Sequence, residues 1–169
     1  MKIKTKEQIL EKALLLFNEK GLENVSTRDI AKEVGIAQGN LCYHYPTKQE
    51  VVEGIYNNFS VEFDTLFTKI KDFKDTNFEA FFKITFLILK LLNKYKFFMF
   101  SFVEISRNYS KISTSFIELQ KKKKLQFSTF HKLLIMQGFM KKETYKGLYD
   151  TIILQSNIIS NFCFSEGEI

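Results

Sequence analysis

Apolar residues recur at helical spacing along almost the whole chain. Ile9, Leu10, Ala13, Leu14, Leu16 and Phe17 form a stripe that predicts a helix over residues 5–20, with Gly21 as its C-terminal stop. Ser26 or Thr27 caps a short helix in which Ile30, Ala31 and Val34 face one way, and Gly35 breaks it. A shorter helix follows over 38–43 and ends before Pro46, because the residue ahead of a proline is pushed out of the helical region. Thr47, with Glu50 three residues later, reads as a capping box that opens a long helix to about residue 73. Further helices are expected over about 77–94, 96–108, 111–138 and 143–164. Each carries an apolar face too wide for a lone surface helix, so they bury those faces against one another in a bundle.

Composition agrees with this all-α reading. Seven glycines and a single proline in 169 residues are too few turn formers for a β-sandwich or barrel, while 45 % apolar residues supply an ample core. No apolar run reaches the roughly 18 residues of a membrane span. The greasiest stretch, residues 78–92, is interrupted by Lys83 and Lys90. The basic N-terminus leads into an amphipathic segment and not a signal peptide, so a cytoplasmic protein with no membrane partner is expected. Cys42 and Cys163 are too few and too far apart for a disulfide framework or a zinc site. The net charge of +6 is unevenly placed: residues 1–50 hold 8 basic and 7 acidic groups, against 17 and 12 in the remainder. A nucleic-acid-binding head would therefore act through placed contacts, not bulk charge.

Catalysis needs convergent polar groups, and the chain offers two histidines and none of the usual nucleophile, phosphate-loop or metalloprotease motifs. No enzyme activity, metal or cofactor is expected. Cys42 and His44 are two apart and cannot share a helix face. His131, beside Phe130 and Leu133–Leu134, reads as a partnered core or pocket-wall histidine.

The segment from Ser26 to Lys48 carries the most specific chemistry. It reads as a helix, a tight turn at Gly35 and a second short helix, with Ile30, Ala31, Val34, Ile36 and Leu41 inward. Gln38, Asn40, Tyr43 and His44 are left on the outside, and these are side chains of the kind that reach base edges and phosphates in a major groove.

These residues resemble the TetR family of bacterial transcriptional regulators: an apolar first helix ending in Gly21, Thr27-Arg-Asp-Ile-Ala, Val34-Gly-Ile, Gln38-Gly-Asn-Leu, Tyr43-His-Tyr and Lys48. The resemblance implies a three-helix DNA-binding head, residues 1–46, on a helical body, residues 47–169, that binds a small-molecule effector and pairs with a second copy. It implies a homodimer, repressing from a palindromic operator until an effector shifts the population to a form that does not fit DNA. By the same resemblance Thr27 contacts a phosphate and Arg28 the backbone or a base, while Gln38, Gly39 and Asn40 read bases. Tyr43 and His44 lie near phosphate and thymine methyl groups, and Lys48 clamps a phosphate. Tyr45 takes the place of a buried Phe. Cys42 stands where the family usually has Tyr, and Pro46 stiffens the step into the long helix.

In the body, Phe63, Phe67, Phe86, Phe98, Phe102, Phe127 and His131 are candidate pocket walls that periodicity alone does not separate from core. Lys123 falls on the apolar stripe between Leu119 and Phe127, where its stem either snorkels to water or offers a cation to an anionic effector. Leu148, Ile152, Ile153 and Ile159 form a near-continuous apolar face expected at the dimer interface. The rival reading is a helical ligand-binding or protein-interaction module whose head no longer binds DNA.

Overall fold

The computed structural model describes residues 5–71 and 78–162. Among them every regular element is a helix: α1 (Thr5–Lys20), α2 (Thr27–Val34), α3 (Gln38–His44), α4 (Lys48–Lys71), α5 (Phe78–Lys94), α6 (Phe97–Phe100), α7 (Phe102–Asn108), α8 (Ser110–Met136) and α9 (Leu148–Phe162). None of the described helices is long and apolar enough to cross a membrane. The chain forms two compact units, Met1–Ser60 with Tyr95–Ser113 and Val61–Lys94 with Thr114–Ile169.

The first unit is built around α1. Ile9, Ala13 and Phe17 of α1, Leu22 and Val25 of the following loop, Ile30 of α2, Leu41 of α3 and Val51 and Ile55 of α4 are all fully buried. Gly54 lets α4 come close to α1. A Cβ there would stand 2.9 Å from a Leu10 methyl and 3.3 Å from the Tyr45 ring. The short α6 joins the same core: Phe97 lies 5.3 Å from Phe17, ring centre to ring centre, and its N–H donates to Asn18 Oδ1 at 3.0 Å. Tyr56 meets Phe98 edge-on at 5.6 Å, and Phe59 lies 5.2 Å from Tyr95, a spacing at which aromatic pairs gain beyond their buried area.

In the second unit Phe63, Ile88, Leu91, Leu92, Leu119, Phe130, Leu134 and Ile153 are buried. His131 is buried with them. Its Nδ1 lies 2.8 Å from the Phe127 carbonyl, and since a carbonyl only accepts, Nδ1 carries the proton. Lys122 pairs with Asp64 at 2.6 Å and Lys124 reaches Asp150 at 3.9 Å, so the basic run sends its ammoniums in different directions, as about 100° per residue requires.

Two predicted elements are corrected. The helix expected over 96–108 breaks at Ser101, whose backbone (φ −96°, ψ 17°) leaves helical geometry between α6 and α7. The helix expected from residue 143 starts at Leu148. Glu143 is instead used from outside the helix, its carboxylate accepting from the amides of Gly147 (3.1 Å) and Tyr149 (3.3 Å), with Gly147 at φ 89°. Those amides are among the helix-end donors that need an external acceptor. The end of the long helix, expected near residue 73, lies outside the described residues.

Candidate nucleic-acid interface

Local chemistry sets the helix-turn-helix. Ser26 is the N-cap of α2: Asp29 N–H donates to Ser26 Oγ at 3.3 Å, and the Asp29 carboxylate accepts from Ser26 N–H at 2.8 Å and from its hydroxyl at 2.5 Å. These bonds from Ser26 stabilise the anion and hold the Asp29 carboxyl below its ordinary value. At the other end Gly35 adopts φ 77°, and the amides of Gly35 and Ile36 close on the carbonyls of Lys32 and Ala31 at 3.2 and 3.0 Å. This pair of bonds is a Schellman closure, which an L side chain at position 35 would strain. The closure turns the chain from α2 into α3. Leu41, fully buried, then anchors α3 by its inner face.

With Leu41 inward, Gly39, Asn40 and Tyr43 lie exposed on α3, Tyr43 at 83 %. Tyr43 and His44 stack edge to face at 5.2 Å. Gln38 Nε2 donates to Thr27 Oγ1 at 3.2 Å, bridging the starts of α2 and α3, and Arg28 is exposed beside Thr27. Thr27, Arg28, Gln38, Gly39, Asn40, Tyr43 and His44 are thus all carried on two short helices joined by one tight turn. Cys42 is half-buried, and Tyr45 is buried, which pushes its phenol pKa up, with Lys6 Nζ 5.3 Å from its ring centre.

Lys48 sits differently from the other seven. It opens α4, but its ammonium is turned inward, donating to the Leu22 carbonyl and lying 6.0 Å from the Phe17 ring centre. Burial lowers its pKa, and the nearby carboxylates of Glu104 and Glu23 oppose that shift. No residue pattern in the sequence announced the inward position, because its carbonyl partner, Leu22, lies 26 positions away along the chain.

The candidate pocket residues do not fall in one place. Phe98 belongs to the aromatic cluster of the first unit, whereas Phe63, Phe86, Phe127 and His131 belong to the second. Phe63 is buried, Phe127 half-buried and Phe86 exposed. The side chains of Phe67, Phe102, Lys123 and Ile159 lie outside the described residues. On α9, Ile152 is 41 % exposed, Leu148 half-buried, and Ile153 turned into the unit's own core at 6 %. One cleft, missed in the sequence, opens in the first unit with a volume of about 530 Å³; Leu22, Glu23, Phe100, Glu104 and Arg107 are among its walls.

Comparison with known proteins matches residues 9–55 to the bacterial regulatory proteins of the tetR family and residues 58–167 to a bacterial transcriptional repressor family of the same name. The HTH-type transcriptional repressor KstR2 of Mycobacterium tuberculosis is 36 % identical over 69 residues, which is 41 % of this chain and 33 % of that protein. The biofilm operon negative regulator IcaR of Staphylococcus epidermidis is 40 % identical over 58 residues, 32 % of this chain and 31 % of its own. The chain thus covers about a third of the length of these curated relatives. Among solved structures, a TetR-family regulator from Marinobacter aquaeolei superposes with a TM-score of 0.90 at 21 % identity, covering 98 % of this chain and 82 % of the other. KstR2 itself superposes at 0.73 with 18 % identity, covering 95 % and 83 %. Both share the fold.

Proposed function

Because this chain belongs to the TetR family of bacterial transcriptional regulators, a family of DNA-binding proteins and not of enzymes, we propose that it is a ligand-responsive repressor binding a palindromic operator as a homodimer. The observation that carries the reading is the outer face of α3: Asn40 and Tyr43 are exposed on a helix whose inner face is locked by Leu41. In this reading α3 enters the major groove, with Gln38, Gly39 and Asn40 at base edges and Tyr43 and His44 at the flanking backbone. Thr27 and Arg28 fix the register through phosphates, aided by the positive end of α2. Lys48 adds a phosphate contact once its ammonium leaves the Leu22 carbonyl.

Pairing of two chains is supported by apolar side chains left outside in the second unit, including Leu125, Leu133 and Met136 of α8 and Ile152 and Leu154 of α9. Leu148 and Ile152 are assigned to the interface, and Ile159 with them. Phe63, Phe127 and His131 are assigned to the effector site of the body, and a small molecule bound there acts by shifting the population away from the DNA-fitting form.

The test is selection of binding sites from random duplexes. Gln38→Ala or Asn40→Ala should change which base pairs are selected, at about 1–3 kcal/mol for each lost bidentate contact. Arg28→Ala should weaken all duplexes alike and flatten the salt dependence. An operator left unchanged by Gln38→Ala and Asn40→Ala would refute base reading by α3.

A further inference from the structure

We propose that the cleft between the α1–α2 loop and α6–α7 binds a small organic cation with an apolar body, Glu23 and Glu104 taking the ammonium and Leu22, Phe100 and Val103 the apolar part. This goes beyond the reading above, which assigns the effector to side chains of the second unit, because every wall of the cleft belongs to the first.

The cleft has the dimensions of a ligand site. Its volume of about 530 Å³ falls within the roughly 300–1,000 Å³ of small-molecule pockets. Leu22 is buried in the fold and still lines the cleft, so it forms part of an apolar floor. On the opposite wall Phe100 and Val103 are left 44 % and 60 % exposed. A ligand with an apolar body would cover surface that the chain itself leaves in water.

The charge of the walls selects the ligand's head. Glu23 and Glu104 stand against Arg107 alone, and Gly21 brings the partly negative C-terminal end of α1 to the same space. Among the described residues, no hydrogen bond or ion pair holds the side chain of Glu23, Glu104 or Arg107. Two other cations stand close by, and neither is a wall of the cleft: Lys48 donates to the Leu22 carbonyl, and Lys96 Nζ lies 5.8 Å from the Phe100 ring centre. Arg107 is exposed and keeps its hydration, whereas Glu104 is half-buried and short of water. Burial and then Glu23 push the Glu104 carboxyl up, with Lys48 opposing them. An ammonium between the two carboxylates replaces that repulsion with attraction. An anion would meet two carboxylates for one guanidinium, and a neutral ligand would leave both carboxylates unpaired.

The experiment titrates the full chain with phenethylammonium, a ring on a short amine, and follows the backbone amides by heteronuclear NMR. Binding should saturate in the millimolar range, as suits a ligand of so few atoms. It should move the amides of Gly21, Glu23 and Asn24 together with those from Val103 to Asn108. N-acetylphenethylamine, which keeps the ring and drops the charge, should bind about tenfold more weakly. Phenylpropionate should not bind there. Glu104→Gln should weaken phenethylammonium about fivefold, the scale of one partly exposed ion pair, and Glu23→Gln somewhat less. Val103→Lys, at an exposed position, sets a cation of its own in the cleft and should abolish binding. Phenylpropionate binding as tightly as the amine, an unchanged affinity in folded Glu104→Gln and Glu23→Gln proteins, amide movement only outside the cleft, or no saturable movement at millimolar probe would each overturn the proposal. None of these readouts uses DNA, so a chain that selects no duplex would sink the DNA-binding reading and leave this site standing.

Discussion

The two compact units cover their apolar residues to different degrees. The first unit seals its large core side chains, Ile9, Phe17, Leu22, Ile30, Leu41, Val51 and Ile55, and leaves a few large apolar side chains exposed: Leu15, Tyr43, Phe100 and Val103. The second unit buries Phe63, Leu92 and Leu134 just as deeply, yet leaves Phe82, Phe86, Leu125, Leu133, Met136, Ile152 and Leu154 in solvent. A region that covers its own apolar surface is free to present polar groups to a polyanion. A region that does not is asking for a partner, since apolar patches beyond a few hundred Å² rarely stay bare on soluble monomers. In the proposed function the first unit reads DNA and the second pairs with another copy.

The largest effect should come from breaking the sealed core. Phe17→Ala removes a fully buried ring that packs on Phe97 of α6 and faces the Lys48 ammonium, and should cost about 3–5 kcal/mol in urea unfolding, with DNA binding lost alongside. Val61→Ala, at an exposed position in the other unit outside the side chains assigned to pairing, should leave the same unfolding curve within about 0.5 kcal/mol. Equal losses at the two sites would erase the contrast.

Next in size is the partner face. Ile152→Glu sets a charge on the exposed side of α9 without touching the inward Ile153, and should weaken self-association about a hundredfold in sedimentation. Operator affinity should fall with it, because a single half-site binds weakly. Persistent dimers would place the interface on another surface, with the exposed Phe82 and Phe86 of α5 the first to examine.

The smallest effect sharpens the reader. Ser26→Ala removes the N-cap of α2 and should cost about 1 kcal/mol. The capping carboxylate gives this a pH signature. Asp29 is held below its ordinary value by Ser26, so its contribution is present above the usual carboxylate range and fades as pH falls through the lowered folded-state value. Amide exchange at the start of α2 should accelerate on acidification in wild type and show no such step in Asp29→Asn.

Much of the reader was legible because its signals are local. The stripe of α1, the cap at Ser26, the stop at Gly35 and the buried Leu41 each depend on residues within a few positions. What escaped depends on distant partners. Gly54 looks like any helical glycine until Leu10 is found 2.9 Å from where its Cβ would be. Glu143 fits a helical pattern until its carboxylate is needed by the amides of Gly147 and Tyr149. Lys48 matches a phosphate contact by position, yet its ammonium is spoken for by Leu22. Phe98 shares its aromatic character with Phe63 but belongs to the other unit, a separation no periodicity records.

The proposed division between a DNA reader and a pairing face is tested most directly by the mass of the chain on DNA. Sedimentation equilibrium with a duplex carrying one selected site should give two chains per duplex. The half-sites should be related by symmetry and centred one helical turn apart, about 34–36 Å. A saturated complex of one chain on an asymmetric site would contradict it.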